Sequence, residues 1–307
     1  MYREEFHYKS ADNETIIHGC RWEPDMEPKG IIQIAHGVTE YIERYKWFAL
    51  QMAKEGYVVV GNDHLGHGLS VAKGNHKMYF GPEESWNYAV KDLKTCMEMT
   101  KEEFPNIPYI LLGFSLGSFL VRTFLIDYPE EKVDKVILIG TGQMSPVAIK
   151  IAKMLAESEA KKAGDFNSTQ KIHDLTFGAY NKRFSPNRTD YDWLCANNEE
   201  LDCYINDPQR GGDFTAGLFR ELLNGMLYTS KVSNIQKMNT NIPVLFLSGA
   251  DDPVGDFGKG VKKACNAFKK AGVKNIRSKL YSKDRHDILH EKDRKAVFCD
   301  ILDWIES

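Results

Sequence analysis

The chain has 307 residues, of which 42% are hydrophobic and 27% are charged, and its formal net charge is −3 at pH 7. This composition is typical of one large globular domain, and the small negative charge predicts no nucleic-acid partner. The N-terminus has neither the apolar core nor the cleavage site of a signal peptide, and no apolar run approaches the ~20 residues of a membrane span. We therefore expect a cytoplasmic protein whose six scattered cysteines are mostly buried thiols.

Short apolar runs alternate with helical patterns in the N-terminal part of the chain. The predicted strands of this part are 4–9, 15–22, 31–35 and 57–60. Two helices, at 45–53 and 86–100, are predicted because apolar residues recur there at three- and four-residue spacing. Such alternation favours a mainly parallel sheet that helices cover on both faces.

The next unit of the chain contains a candidate nucleophile. An apolar run from Tyr109 leads through Gly113-Phe114-Ser115-Leu116-Gly117 into a helical pattern that ends before Pro129. Where Gly-x-Ser-x-Gly lies between a strand and a helix, the serine hydroxyl is lifted above the sheet, and the glycines avoid a clash beside it. We predict that Ser115 is a nucleophile and that the Leu116 N–H, at the start of the helix, stabilises the oxyanion of acyl transfer.

The alternation of strands and helices is interrupted in the second half of the chain. A strand at 135–139 is followed by a mostly helical segment, 143–232, with aromatic residues scattered through it. The alternation then resumes with a strand at 243–249 and a helix at 258–272. A strand at 275–281 and a last helix through 297–305 complete the predicted elements. The expected domains are a core of residues 1–142 and 233–307 and a helical lid of residues 143–232; alternatively, the helical segment is a subdomain that packs on itself.

The order of residues along the chain limits the candidate partners of Ser115. In an α/β fold with this serine turn, an acid and then a histidine follow from the ends of later strands. His286 lies in the loop after the last strand, whereas His290 lies at the start of the final helix, so we predict His286 as the general base. The acid is Asp251 or Asp252, with Asp256 as a more distant third candidate; Asp252 is preferred because Pro253 restricts its backbone and fixes the direction of its side chain.

A second oxyanion donor and a possible metal site come from loops at the same edge of the sheet. The loop after the third strand contains Val38, whose backbone N–H is the predicted second donor. Asp63, His64 and His67 offer three metal ligands, but no fourth ligand follows at a known zinc spacing. We interpret these side chains as holding their loop through internal hydrogen bonds, and we predict neither a metal nor a cofactor.

Several spaced motifs make the chain resemble the α/β-hydrolase superfamily, and within it the monoacylglycerol lipase and lysophospholipase branch. The motifs are His36-Gly37-Val38-Thr39-Glu40 with Arg44-Tyr45, Asp63-His64-Leu65-Gly66-His67-Gly68-Leu69-Ser70, Gly113-Phe114-Ser115-Leu116-Gly117-Ser118, and the acid loop of Asp252 with the later His286. The resemblance implies an α/β-hydrolase fold and a Ser115–His286–Asp252 triad that hydrolyses esters through an acyl-enzyme. It implies a lipid ester or small ester as substrate, with at most peripheral membrane contact through the lid.

The chain departs from the branch beside the nucleophile, and two other functions stay open. Phe114 and Ser118 replace a histidine and a glycine, and we expect both to alter the shape of the acyl pocket. An aminopeptidase or amidase would keep the same triad but would need acidic lid residues to bind an amino terminus. Four candidates for that role are Glu199, Glu200, Asp202 and Asp207. A non-catalytic binding protein on the same fold is the remaining alternative.

Overall fold

The computed structural model describes residues 1–72, 74 and 76–307, and its centre is a sheet of eight strands in the order β1-β2-β4-β3-β5-β6-β7-β8. The strands are β1 (Tyr2–Lys9), β2 (Ile16–Glu23), β3 (Gly30–Ala35), β4 (Tyr57–Asn62), β5 (Tyr109–Phe114), β6 (Lys135–Ile139), β7 (Val244–Gly249) and β8 (Ile276–Tyr281). The pairs β1–β2 and β2–β4 are antiparallel, and β4 to β8 pair in parallel through β3, β5, β6 and β7. The predicted, mainly parallel sheet is therefore present.

Helices cover both faces of this sheet, because the parallel strands are apolar on both sides. The helices outside the segment between β6 and β7 are α1 (Lys46–Lys54), α2 (Trp86–Glu103), α3 (Leu116–Asp127), α10 (Lys259–Ala271) and α11 (Arg294–Glu306). A short 3₁₀ turn, Ile42–Tyr45, precedes α1. One buried cluster lies under α2, α3 and α10, and the other lies under α1 and α11.

The segment between β6 and β7 is helical in the described structure, as its sequence pattern predicts. Its helices are α4 (Pro146–Ala163), α5 (Gln170–His173), α6 (Ala179–Asn181), α7 (Asn198–Asn206), α8 (Ala216–Ser230) and α9 (Val232–Ile235), with a π-helical turn at Asp174–Gly178 and a 3₁₀ turn at Lys182–Phe184. The two long helices begin at capping side chains: Ser145 accepts a hydrogen bond from Ala148 N–H, and Thr215 accepts one from Leu218 N–H. We refer to α4–α8 with their connecting loops as the helical insertion.

Two further expectations concerned membrane spans and the burial of the cysteine thiols. No helix among these residues is both long enough and apolar enough to cross a bilayer. All six cysteines are free; four of them are buried, whereas Cys203 and Cys299 are exposed.

Candidate active site

The turn between β5 and α3 holds Ser115 in a strained backbone conformation. Ser115 has φ 50° and ψ −116°, which an L-residue adopts only when its surroundings impose it. Its N–H donates to the Ile139 carbonyl at 2.9 Å, which ties the turn to the neighbouring strand. A Cβ on Gly117 would overlap the Ala35 carbonyl oxygen, so the close approach of α3 to β3 requires glycine there. This turn places Ser115 at the carboxyl edge of the sheet.

The loops after β7 and β8 bring Asp252 and His286 together at the same edge. Asp252 Oδ1 lies 3.0 Å from His286 Nδ1, and both residues are buried. The carboxylate also accepts hydrogen bonds from Val254 N–H at 2.8 Å and from Ser248 Oγ at 3.0 Å. The Asp251 N–H instead donates to the Asp284 carbonyl, and Asp251 is half-exposed. Of the two neighbouring acids, Asp252 is the one in contact with the histidine.

The environment of His286 favours a basic imidazole. Burial disfavours the charged ring, but the Asp252 carboxylate outweighs it and raises the pKa of His286 above its usual value. Two aromatic rings flank the imidazole: the Phe114 ring centroid is 4.9 Å away and that of Trp193 is 5.5 Å away. Because Trp193 comes from the helical insertion, the insertion contributes to the packing of His286.

A cavity of about 210 Å³ connects the sheet edge with the insertion. From the core it is lined by Ser115, His286, Val38 and Leu116, which include both predicted oxyanion donors. Most of the remaining lining is apolar: Phe119, Met144, Ala152, Leu175, Phe177, Trp193, Phe214, Phe219, Leu222, Leu223, Met226 and Val254. Polar side chains are few, and no aspartate or glutamate is among the described residues that line the cavity. The site is therefore a reactive polar edge facing an apolar chamber.

The departures at Phe114 and Ser118 do not shape this chamber, so that expectation is corrected. Neither residue lines the cavity. Phe114 packs against His286, and its ring would meet a Cβ placed on Gly37. Ser118 Oγ donates to the Ser115 carbonyl at 2.6 Å, within the first turn of α3. Neither side chain therefore reaches the cavity: Phe114 contacts the imidazole ring, and Ser118 bonds within the first turn of α3.

The histidines near the oxyanion loop are buried and hold loops together. His36 Nε2 accepts from the His64 N–H at 2.9 Å, and His67 Nδ1 lies 2.8 Å from the Leu65 carbonyl. Burial lowers the pKa of His64 to about 3 and that of His67 to about 4, so both rings are neutral at pH 7. The Asp63 carboxylate accepts from Ile42 N–H at 2.8 Å, among other contacts. These hydrogen bonds fit the interpretation of Asp63, His64 and His67 as a loop-holding group.

A buried ionic network that the sequence analysis did not identify lies behind the site. Glu40 accepts from the Gly37 N–H and lies 3.2 Å from Arg44 Nε, while Arg44 Nη2 lies 3.1 Å from Asp287 Oδ2. His290 Nδ1 lies 2.9 Å from Asp287 Oδ1, so this histidine belongs to the ionic network and is not a partner of Ser115. The prediction that His290 lies at the start of the final helix was wrong, because the residue lies in a turn and α11 begins only at Arg294. The signal for this network was the family motif itself, which contains Glu40 and Arg44.

The four acidic residues that an aminopeptidase could use lie outside the cavity, and three of them have partners elsewhere. Glu200 Oε1 lies 2.7 Å from Arg294 Nη1, and Asp202 Oδ1 lies 2.7 Å from Arg188 Nη1. Asp207 accepts a hydrogen bond from the Tyr41 hydroxyl at 2.7 Å. Glu199, the fourth candidate, is exposed, and none of the four lines the cavity.

Comparison with known proteins gives consistent results along the whole chain. A family model described as serine aminopeptidase, S33 (Hydrolase_4) matches residues 26–293. A monoacylglycerol lipase from Mycolicibacterium smegmatis is 25% identical over 99% of this chain and 98% of its own length, and human monoglyceride lipase is 24% identical over 100% and 91%. The structure of a carboxyl esterase from Bacillus coagulans superposes with a TM-score of 0.91 at 23% identity, covering 100% of this chain and 98% of that one. The predicted α/β-hydrolase fold is confirmed by this similarity.

Proposed function

Because the chain belongs to the serine aminopeptidase S33 (Hydrolase_4) family and is a serine ester hydrolase by class, we propose that it hydrolyses esters of a single acyl chain. Its substrates would be monoacylglycerols, lysophospholipids or smaller carboxylic esters. The observation that carries the proposal is the apolar cavity that opens directly beside Ser115 and His286. Relatives named monoacylglycerol lipase and monoglyceride lipase, aligned over nearly the full chain, support the same substrate class.

The proposed reaction proceeds through a covalent acyl-enzyme. His286 takes the proton of the Ser115 hydroxyl as the serine oxygen attacks the ester carbonyl carbon, and the resulting imidazolium is stabilised by Asp252. The backbone N–H groups of Val38 and Leu116 donate to the tetrahedral oxyanion. Collapse of the intermediate transfers the proton from His286 to the leaving alcohol, and water then repeats the sequence to release the acid. The strained turn supports this role, since it holds Ser115 in place before substrate binds.

The size and lining of the cavity support an acyl group as the part of the substrate that it binds. Its volume of about 210 Å³ is below the ~300–1,000 Å³ common for ligand clefts, which favours one chain over two. Each methylene transferred from water to apolar surroundings contributes about 0.8 kcal/mol. Esters should therefore gain in kcat/KM as the acyl chain lengthens, until the chain outgrows the cavity.

The same lining favours an ester over an aminoacyl substrate, although the family name mentions aminopeptidase. A free amino terminus is cationic and would need a carboxylate partner inside the site. The described lining contains no acidic side chain, and the acidic residues Glu200, Asp202 and Asp207 of the insertion are paired elsewhere. Aminoacyl amides are therefore expected to be poor substrates.

The outer face of α4 supports contact of the insertion with lipid aggregates. Val147, Ile151 and Met154 are 67%, 56% and 68% exposed, and they recur at helical spacing on one face. Met144, at the start of this stripe, also lines the cavity, so the stripe adjoins the cavity lining. A surface of this kind fits peripheral contact with a layer that contains the substrate.

The first experiment is hydrolysis of p-nitrophenyl esters from acetate to palmitate, with the unmodified protein beside Ser115→Ala. We expect activity that disappears in the variant and an optimum at an intermediate chain length. An aminoacyl naphthylamide measured in parallel tests the amidase alternative. If neither ester nor amide is cleaved and a serine-directed fluorophosphonate does not label the protein, the proposal is wrong and a binding role replaces it.

A further inference from the structure

A buried arginine without a carboxylate partner lies on the helix that follows the nucleophile. Arg122 belongs to α3 and is 1% exposed. No carboxylate of the described residues bonds to its guanidinium, whose partners are carbonyl, amide and hydroxyl oxygens. Burial lowers the pKa of Arg122 to about 10, which still leaves it charged at pH 7. A buried charge is costly unless it is paired and hydrogen-bonded, so these oxygen partners must offset the cost of burying Arg122.

The acceptors of Arg122 lie at both ends of the helical insertion. Nη1 donates to the Gly142 carbonyl at 3.0 Å, in the segment that leaves β6 for α4. Nη2 donates to the Thr229 carbonyl at 2.9 Å, in the last turn of α8. Gln143 joins the two ends a second time, because its Oε1 lies 3.4 Å from Nη2 and its Nε2 donates to the Ser230 carbonyl at 3.2 Å. One guanidinium thus connects the nucleophile helix with both attachment points of the insertion.

Two aromatic rings lie close to the guanidinium. Its central carbon lies 5.2 Å from the Phe119 ring centroid and 5.6 Å from that of Phe268, distances at which cation–π attraction operates. Phe119 itself lines the cavity, as do Leu222, Leu223 and Met226 from α8. The position of α8 relative to Phe119 therefore determines the width of the chamber, and Arg122 contacts both.

We propose that Arg122 is a positioning residue that fixes both ends of the helical insertion and thereby determines which acyl chains the cavity accepts. The inference rests on the proposed ester hydrolysis, whose reacting groups Arg122 does not touch. A planar guanidinium is required because it donates in two directions at once, and a lysine ammonium cannot reproduce that fork. Loss of the fork should loosen α8 and the connection before α4, while Ser115, His286 and Asp252 stay in place.

The test is the kinetics of Arg122→Met and Arg122→Lys on p-nitrophenyl acetate and on longer p-nitrophenyl esters. For Arg122→Met we expect a loss of kcat/KM of at least about tenfold on the longest good substrate, mainly through KM, and less than about threefold on acetate; the larger figure corresponds to about one lost hydrogen bond to a charged group. Arg122→Lys should recover part of the loss. Equal losses on acetate and on the long ester, or no loss on either, would overturn the proposal.

A matched control is available at the opposite end of β6. Lys135 Nζ donates to the Trp304 and Ile305 carbonyls at 2.9 and 2.7 Å. Like Arg122, it joins separate segments through backbone oxygens, but the segments are β6 and α11 and lie outside the insertion. Lys135→Met should change stability without changing the dependence on chain length. A chain-length shift equal to that of Arg122→Met would show that any such loss acts through general loosening, and the proposal would fail.

Amide hydrogen exchange separates a failure of this inference from a failure of the proposed function. Arg122→Lys, or Arg122→Met if it folds, should exchange faster at residues 141–143 and in α8, with α3 and the central strands unchanged. This readout needs no substrate, so it remains decisive if the unmodified protein cleaves no ester. Unchanged exchange at both attachment points, or equally faster exchange in the central strands, would refute the positioning role.

Discussion

The sheet edge and the helical insertion contribute to one cavity in opposite ways. The edge supplies polar groups held by backbone geometry: Ser115 in its strained turn, and His286 bonded to Asp252. The insertion supplies apolar side chains from helices, and its outer face leaves Val147 and Met154 67% and 68% exposed. Under the proposed function, we expect the core to determine the reaction and the insertion to determine the substrate. Substitutions on the two sides should therefore separate chemistry from selectivity.

The largest effect is expected from the core, for Ser115→Ala. Because the proposed covalent step is lost, kcat should fall by about 10⁴-fold or more on esters of every chain length. Ser118→Ala is the matched control, since it removes only the hydrogen bond to the Ser115 carbonyl and should keep activity within several-fold. Residual activity of Ser115→Ala that still varied with chain length would indicate another nucleophile.

The second effect compares two adjacent acids. Asp252→Asn should lower kcat by about 10³–10⁴-fold, because the amide no longer stabilises the imidazolium of His286. Asp251→Asn should stay within about twofold, since that side chain is half-exposed and does not contact the histidine. Steady-state kinetics on one short ester measure both variants. Equal losses would mean that the acid loop acts through its fold and not through one carboxylate.

The pH dependence tests the same pair of residues. His286 must be neutral to accept the serine proton, so kcat/KM should fall about tenfold per pH unit below the pKa of His286. Since Asp252 raises that pKa above its ordinary value of 6.5, the half-point of the acid limb should lie above pH 6.5. In Asp252→Asn the half-point should move to lower pH. An acid limb that did not move would assign it to another group.

A smaller and selective effect is expected in the insertion, for Leu222→Trp. The larger ring would occupy part of the cavity, so kcat/KM for the longest good ester should fall about tenfold, the loss of nearly two buried methylenes. Activity on acetate should be unchanged. Leu227→Trp on the same helix is the control, because Leu227 is also half-buried but does not line the cavity. A uniform loss across the ester series would contradict the division between edge and insertion.

The smallest effect concerns the outer face of α4. Met154→Glu should slow hydrolysis of an aggregated monoacylglycerol several-fold and leave a dissolved butyrate ester unaffected, since it changes only a surface that would contact lipid. Met26→Glu, at a residue that is 54% exposed and outside the insertion, controls for added charge. If both variants behaved alike on aggregates, the apolar stripe would have no special role.

Much of the fold was predictable, because strands and helices follow from local apolar periodicity. All eight strands lie where the sequence places them, and the central pairings are parallel as expected. The candidate residues Ser115, Asp252 and His286 were predictable from chain order, since each follows a strand that ends at the same edge. Asp251 and Asp252 could be ranked only by the restriction that Pro253 imposes, and the contact between Asp252 and His286 is a property of the folded loops.

Other parts of the site could not be predicted, because they depend on residues distant in sequence. The effect assigned to Phe114 was wrong, since the turn directs its ring toward His286 and away from the cavity. Trp193 has no local pattern that places its ring beside His286. The sequence pattern around Arg122 predicts only a position in a helix. Its partners Gly142 and Thr229 lie on two other segments of the chain, so local periodicity could not indicate them.

The sequence by itself determined the candidate residues at the sheet edge. The glycine-bounded turn is a local property that fixes backbone direction, and chain order alone selects the later acid and histidine. The tertiary structure alone decided which side chains of the insertion face Ser115, how large the chamber is, and what holds both ends of the insertion. These features arise from packing between helices whose sequences do not show which helices they contact. They exist only once α4 lies against α8 and α8 lies against α3.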